Sequence, residues 1–437
     1  VRAPWALIGI LTIPVVFWTM TRLKGVFFGL CTAALLAIYH FHIHYSRVGL
    51  NNIADPLLVS LAVFLFYRAK ARRDSLDWAL LGVVCGISLY GYQGARLTLI
   101  VIGALALYYL AHNRARFWQD HRRGLAIALG AFLIVGAPIM QFAFFFADEY
   151  NARINQMGII QSGWLVEQAR RFNTSIWYVL FDQFRRAALA FNFYPDQTVW
   201  YGLPQPLLDP IFGTLFLLGL GYGTVSALKP HADRRMFPIV AWWWGAMILG
   251  GVLTENAPSS MRMVTLTVPV CFFITLAIFK ILNLAKHAIA DFPTVKLLIG
   301  ALILFGVINV KIYWFDYTPL RIYGSTRAEA ATMMAPALNE LKSNHDFYFV
   351  GAPFMYWGFA TLPFLVPDAQ AIDILDPITP SLLTEVNRSD RGSVFIVMPE
   401  RSYELVLLKQ GLPRGETREF HTPTDGHVIA TLYIVSP

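Results

Sequence analysis

The feature that most constrains this chain is a succession of apolar runs, each near the length that crosses a bilayer. A crossing helix needs roughly 20 mostly apolar residues. Ten candidates lie near residues 4–20, 25–41, 54–67, 77–92, 96–111, 124–146, 209–227, 236–253, 262–282 and 296–313. No single soluble core absorbs that much apolar sequence, and composition agrees. Of 437 residues, 56% are hydrophobic and 14% charged, against about a quarter charged in soluble domains. The expected fold class is a polytopic α-helical membrane protein with about ten visible spans.

Lysine and arginine concentrate in alternate loops, which are expected to be cytoplasmic. One set holds Arg22 and Lys24; Arg68, Lys70, Arg72 and Arg73; Arg114, Arg116, Arg122 and Arg123; Lys229, Arg234 and Arg235; Lys280, Lys286 and Lys296. The short loops of the other set hold Arg47, Arg96 and Arg262 singly. The net charge of +8 therefore reads as orientation and not as a nucleic-acid signal. Residues 42–55, 147–208 and everything after Trp314 are expected to face outward. Val1 would also start outside with no leader cleavage region behind it, so at least one earlier span is expected. Cys31, Cys85 and Cys271 lie in apolar runs without a CxxC and read as small hydrophobes.

Two regions break the pattern of spans. In 147–208, "WLVEQARRFNTSIWYVLFDQFRRAALAF" mixes apolar and basic residues at helical spacing, as amphipathic helices in the interface plane do. Residues 314–437 are more polar, with a helical stretch over Ser325 to Lys342 and β-rich runs "FYFVG", "SVFIVMP" and "HVIATLYIV". The expected organisation is a membrane module over 1–313 and a small extracytoplasmic α/β domain over 314–437.

Polar groups gather at three turns expected on one side: 42–55, 90–96 and 254–262. At a membrane edge such groups are costly unless paired or used. Asp55 has two readings: a carboxylate serving as base or ligand at the mouth of a cavity, or an N-cap followed by Pro56. Asp209-Pro210 repeats the same device. Arg47, Arg96 and Arg262 suit a phosphate, and equally suit snorkelling to headgroups. Glu255 and Arg262 sit together in "TENAPSSMRM" at a helix start, where an anion is favoured. Tyr92 and Gln93 can hydrogen-bond a sugar, or belong to an aromatic belt. His40, His42 and His44 alternate. His42 and His44 share a face only on an extended segment, where they are weak candidates for a divalent metal. No Walker loop, GxGxxG, GxSxG or HExxH stands in a fitting context, so no nucleotide donor is expected.

Four segments carry a resemblance: "FHIHYSRVGLNNIADP" (41–56), "SLYGYQGARL" (88–97), "PLLDPIFGTLFLLGL" (206–220) and "APSSMRM" (257–263). In order and topology the chain resembles bacterial GT-C glycosyltransferases related to family 39, a group with protein O-mannosyltransferases and lipid A aminoarabinose transferases. The resemblance implies an inverting transferase in the cell membrane, acting at the outer face. Its donor is a polyprenyl-phosphate-linked sugar and its acceptor a lipid, protein or glycan hydroxyl. The family's principal carboxylate lies in a first outer loop that precedes the start of this sequence. Asp55 matches the carboxylate at the start of the family's fourth span. Arg262 matches a donor-phosphate contact, and Arg47 and Arg96 sit at matching turns. A transporter of lipid-linked glycans, or a non-catalytic homologue, remains the alternative. The absence of internal repeats and of ionisable residues deep in a span favours the enzyme.

Overall fold

The computed structural model describes residues 2–198, 200–229, 235–289, 291–320, 325–386, 391–423 and 425–437. Val1 and Arg234, both used above for orientation, lie outside them, as does the side chain of Arg114. The chain divides into two compact units, Val1–Tyr317 and Thr318–Pro437.

The first unit is helical. It opens with α1 (Ala3–Lys24), α2 (Val26–Ile38), α3 (His40–Val48), α4 (Ala54–Arg72) and α5 (Ser75–Ile87). It continues with α6 (Leu97–Phe145), three short helices α7 (Ala147–Met157), α8 (Trp164–Arg171) and α9 (Ile176–Ala188), then α10 (Pro210–Leu228), α11 (Phe237–Ala246), α12 (Thr267–Ala288) and α13 (Thr294–Val310). Gly25, at φ 98°, makes the turn between α1 and α2 in a conformation that side chains resist. Helix α12 is the most enclosed, with every residue from Thr267 to Ile278 buried. Helix α10 packs on it at Gly219, where a Cβ would lie 1.9 Å from the Phe273 carbonyl oxygen. Only a missing side chain permits that approach, a common device between apolar helices.

Among the described residues, seven helices are long and apolar enough to cross a membrane, and an eighth if α2 and α3, bent by 57°, form one span. The two remaining runs read from sequence fall short of that length. Helix α5 has 13 residues, about 20 Å of rise, because the chain leaves the helix at Ser88 rather than continuing to Tyr92. Helix α11 gives way to a π-helical turn over Met247–Val252.

Helix α6 carries two of the expected runs, 96–111 and 124–146, as two spans, with a connection shorter than the expected loop. Helical backbone runs over 49 residues, Leu97–Phe145, which would span about 70 Å if straight. Yet the Arg96 guanidinium at its start lies 4.3 Å from the Tyr150 ring just past its end. The Tyr109 and Phe117 rings are 5.5 Å apart, and both pack on Phe66. The helix therefore folds back, giving two spans, Gln93–His112 and Ala115–Phe145. Its second limb pairs with α5, from Trp78 beside His121 to the Tyr90 hydroxyl on the Val135 carbonyl at 2.9 Å.

The second unit is a five-stranded sheet of order β2-β1-β3-β5-β4. Its strands are β1 (His345–Val350), β2 (Ala371–Asp373), β3 (Gly392–Val397), β4 (Glu416–His421) and β5 (Val428–Val435). Strand β1 runs parallel to β2 and β3, and β5 antiparallel to β3 and β4. Alternation along β1 sends Phe347 and Phe349 to one face, with Met334 and Leu338 of α14 (Ser325–Leu341). It sends Tyr348 and Val350 to the other, with Leu383 and Leu408. Apolar side chains on both faces are what a sheet covered by helices on two sides requires.

Candidate functional site

The three polar turns meet. Asn52 Nδ2 donates to the Met261 carbonyl at 2.9 Å, and the Tyr45 hydroxyl lies 2.8 Å from Ser260 Oγ. Asp196, buried, accepts from Ser260 N at 2.9 Å and Ser260 Oγ at 2.6 Å. Two further bonds knit Leu253–Glu255 to Met157–Ile159: Glu255 N to Met157 O at 3.0 Å, and Ile159 N to Leu253 O at 3.2 Å. Arg262 is thus carried on a loop fixed at several points.

Between these elements lies a cavity of about 300 Å³. Arg96 from the Gln93–Arg96 turn, Arg153 from α7 and Arg262 all line it, together with Tyr92 and Gln93. Leu97, Ile100, Leu249 and Leu253 supply apolar wall, and no Asp or Glu is among the lining residues. Arg262 donates to the Glu255 carbonyl and to Met157 Sδ at 3.1 Å, and the Tyr92 hydroxyl also lies against it. Glu255 therefore meets Arg262 through its backbone and stays outside the lining. Arg96 Nε is buried with no partner. Three arginines beside apolar walls are the chemistry that an anion with a greasy body requires.

Asp55 stands one layer behind this wall. It is 2% exposed, and its Oδ1 has no hydrogen-bond partner. A Cβ at Gly94, which lines the cavity, would lie 2.2 Å from Asp55 Oδ2. The capping reading of Asp55 is not what the structure has. Helix α4 continues a 3-10 turn over Asn51–Ile53, so Asp55 falls inside the helix and makes no cap bond. Asp209, with the same Asp-Pro pair, does cap, accepting from Ile211 N at 3.0 Å and Phe212 N at 3.2 Å.

The other expected residues lie elsewhere. The Arg47 guanidinium packs 4.4 Å from the Trp314 ring and donates to the Tyr313 hydroxyl at 3.4 Å, apart from the cavity lining. His42 and His44 are on helix α3, two residues apart, so they point to different sides. His42 Nε2 lies 3.1 Å from the Gly9 carbonyl and His44 Nε2 2.7 Å from that of Trp200. Among the described residues no three His, Cys, Asp or Glu groups are placed to hold a metal ion.

Sequence reading missed Arg153 and Asp196. Arg153 and Met157 face the cavity at an i, i+4 spacing on α7. That spacing was visible, but nothing in the sequence says which face of an amphipathic helix meets protein. Asp196 lies in an irregular stretch with no motif around it.

Residues 1–141 match the model of a family described as dolichyl-phosphate-mannose-protein mannosyltransferase. No curated protein matches the chain by sequence. Among solved structures, ArnT from Cupriavidus metallidurans in the apo state aligns with 99% of this chain and 83% of its own, at 13% identity and TM-score 0.53. The structure of ArnT bound to undecaprenyl phosphate gives 12% identity over the same shares and the same TM-score. The Archaeoglobus fulgidus oligosaccharyltransferase aligns with 98% of this chain and 63% of its own, at 12% identity and TM-score 0.49. The chain is therefore a multi-span membrane protein with the GT-C-type fold of ArnT, similar over its first 141 residues to the protein mannosyltransferase family.

Proposed function

We propose that this chain is a membrane glycosyltransferase. It moves a sugar from a polyprenyl-phosphate donor to an acceptor hydroxyl, with inversion, in the cell membrane, with site and C-terminal domain on the extracytoplasmic side. The observation that carries the reading is the cavity where Arg96, Arg153 and Arg262 stand among apolar residues with no carboxylate in the lining. A lipid phosphate needs both parts: positive charge for its head and apolar wall for its first isoprene units. ArnT of similar fold binds undecaprenyl phosphate, which supports the same ligand class here.

In this mechanism the acceptor oxygen attacks the anomeric carbon while its proton passes to a carboxylate. The bond from that carbon to the phosphate oxygen breaks, and its electron pair stays on the phosphate. Arg262, Arg96 and Arg153 offset the charge that develops there. One displacement inverts the centre, so no covalent enzyme intermediate forms. Asp55, whose Oδ1 is buried without a hydrogen-bond partner and whose Oδ2 lies behind Gly94, is the proposed carboxylate; it stands outside the lining, so the proton reaches it only past the Gly94 turn. Tyr92 and Gln93 are the proposed sugar contacts.

The test is a transfer assay on full-length protein in liposomes, with a panel of polyprenyl-phosphate sugars and release of polyprenyl phosphate as readout. Sugar-dependent release that falls in Asp55→Asn and in Arg262→Ala is the expected result. No release with any donor from folded protein would move the chain to the transporter or non-catalytic class.

A further inference from the structure

We propose that a second cavity in the first unit binds a saccharide, which makes the acceptor a glycan; the acceptor assignment rests on the transferase reading above. The cavity measures about 470 Å³ and lies between α8, α9 and residues 197 and 256–257. That volume suits a small ligand, for which sites run about 300–1,000 Å³.

The lining is what identifies the ligand. Trp164, Phe172 and Tyr178 present aromatic rings, and Gln168, Gln197 and Asn256 present amides. A sugar ring has apolar C–H faces and a rim of hydroxyls that both donate and accept. Aromatic rings match the faces. Amides match the rim, since each offers a carbonyl acceptor and two N–H donors in one plane. Phe172 and Tyr178 are 67% and 60% exposed, so their rings are open to a ligand. The pair of Asp182 with Arg186, 2.6 Å apart, adds a fixed acceptor and donor to the same wall. Burial pushes the Asp182 carboxyl up, but hydrogen bonds from Arg186 and Arg185 outweigh it and hold the carboxyl below its ordinary value. A face meant only for lipid has no use for three amides and an ion pair.

Position supports the assignment. Leu253 and Thr254 line the arginine cavity, while Asn256 and Ala257 line this one. The two cavities share one stretch of chain as a common wall. Gln183 pins that wall, donating to the Thr254 carbonyl at 2.8 Å and accepting from Ala257 N at 3.3 Å. A saccharide seated here is held beside the site proposed for the lipid phosphate.

The experiment is calorimetric titration of the full-length chain in detergent with four disaccharides: cellobiose, mannobiose, chitobiose and galactobiose. Phe172→Ala and Tyr178→Ala remove exposed rings, so both variants are expected to fold, checked by unchanged melting midpoints. Undecaprenyl phosphate binding is measured on the same preparations. The expected result is binding of at least one disaccharide, weakened about tenfold in each variant, with undecaprenyl phosphate binding unchanged. If no disaccharide binds at tens of millimolar while undecaprenyl phosphate does, the inference fails and the transferase reading stands. Loss of undecaprenyl phosphate binding as well would sink both. Disaccharide binding indifferent to both substitutions also overturns the inference. So does a loss confined to association with anionic lipid vesicles, which would make the rings a membrane contact.

Discussion

Gly94→Ala tests the packing of Asp55 against the cavity wall. The added Cβ would lie 2.2 Å from Asp55 Oδ2, 3.1 Å from its Cγ and 3.7 Å from its Cβ. The first distance is more than about 1 Å inside ordinary contact. Overpacking of this kind costs about 1–3 kcal/mol, because Asp55 is buried on a helix and has little room to turn. Asp55→Ala deletes Oδ2 and Cγ and leaves only the 3.7 Å contact, which is ordinary. In that background Gly94→Ala should cost almost nothing. Four proteins, the parent, each single variant and the double, close the cycle, read by thermal unfolding in detergent. The expected coupling equals nearly the whole cost of Gly94→Ala alone. Equal destabilisation in both backgrounds would refute the contact, and so would a Gly94→Ala chain as stable as the parent. Transfer kinetics report how the strain is relieved. If the turn lifts, Tyr92, Gln93 and Arg96 move with it, and a shift of about 1 Å costs up to 10²-fold in rate.

Arg262→Ala should raise the KM for donor about 10- to 100-fold, the worth of a charge-assisted hydrogen bond at roughly 1.5–3 kcal/mol, with Arg262→Lys recovering part of it in the same assay. Asp209→Ala removes the N-cap of α10 and should cost about 1 kcal/mol in thermal stability without changing donor KM. In the second unit, burial raises Glu404, but Arg401 and the Ile378 N–H outweigh it and hold its carboxyl below the ordinary 4.5. A depressed carboxyl adds stability that is fully present above the unfolded value and is lost as pH falls through the folded one. Hydrogen exchange of β1 and β3 should therefore quicken as pH drops below about 4.5, after correction for intrinsic rates, and Glu404→Gln should flatten that dependence.

Much of the membrane module was legible because span length and apolarity are properties of single segments. Among the described residues eight of the ten runs correspond to helices long enough to span, counting the bent pair α2 and α3 as one, and the other two to shorter apolar helices. What failed depended on neighbours. Asp55 and Asp209 carry the same Asp-Pro pair, but a 3-10 turn over Asn51–Ile53 feeds into α4 and removes the cap position from Asp55. Arg47 and Arg96 are each the lone basic residue of a short turn. One meets Trp314 and the other the cavity, a difference set by residues hundreds of positions away or on another helix. The reversal between runs 96–111 and 124–146 was legible, but its tightness was not: the second span starts at Ala115 and so takes in Arg116, Arg122 and Arg123. Tyr92, Gln93, Arg96 and Arg262 were singled out and do share one cavity. Arg153 was not, because its segment reads as amphipathic on any face.

The wall formed by residues 253–257 ties the two proposed sites into one device. A single displacement requires donor and acceptor to approach one carbon from opposite sides, so whatever holds the partition sets the geometry of both. Gln183, 3% exposed, is the residue that does so from behind. Gln183→Ala would leave the Thr254 carbonyl and the Ala257 N–H without these partners, at a cost of about 1–3 kcal/mol for each group that stays buried. Unlike Arg262→Ala, which should raise donor KM and lower kcat but leave acceptor KM unchanged, or Phe172→Ala, which should raise acceptor KM and leave donor KM unchanged, it should raise both KM values together. Steady-state kinetics with each substrate varied in turn separate these patterns. A Gln183→Ala chain that shifts only one of the two constants would mean that the cavities are independent and that the shared wall has no part in aligning the reaction.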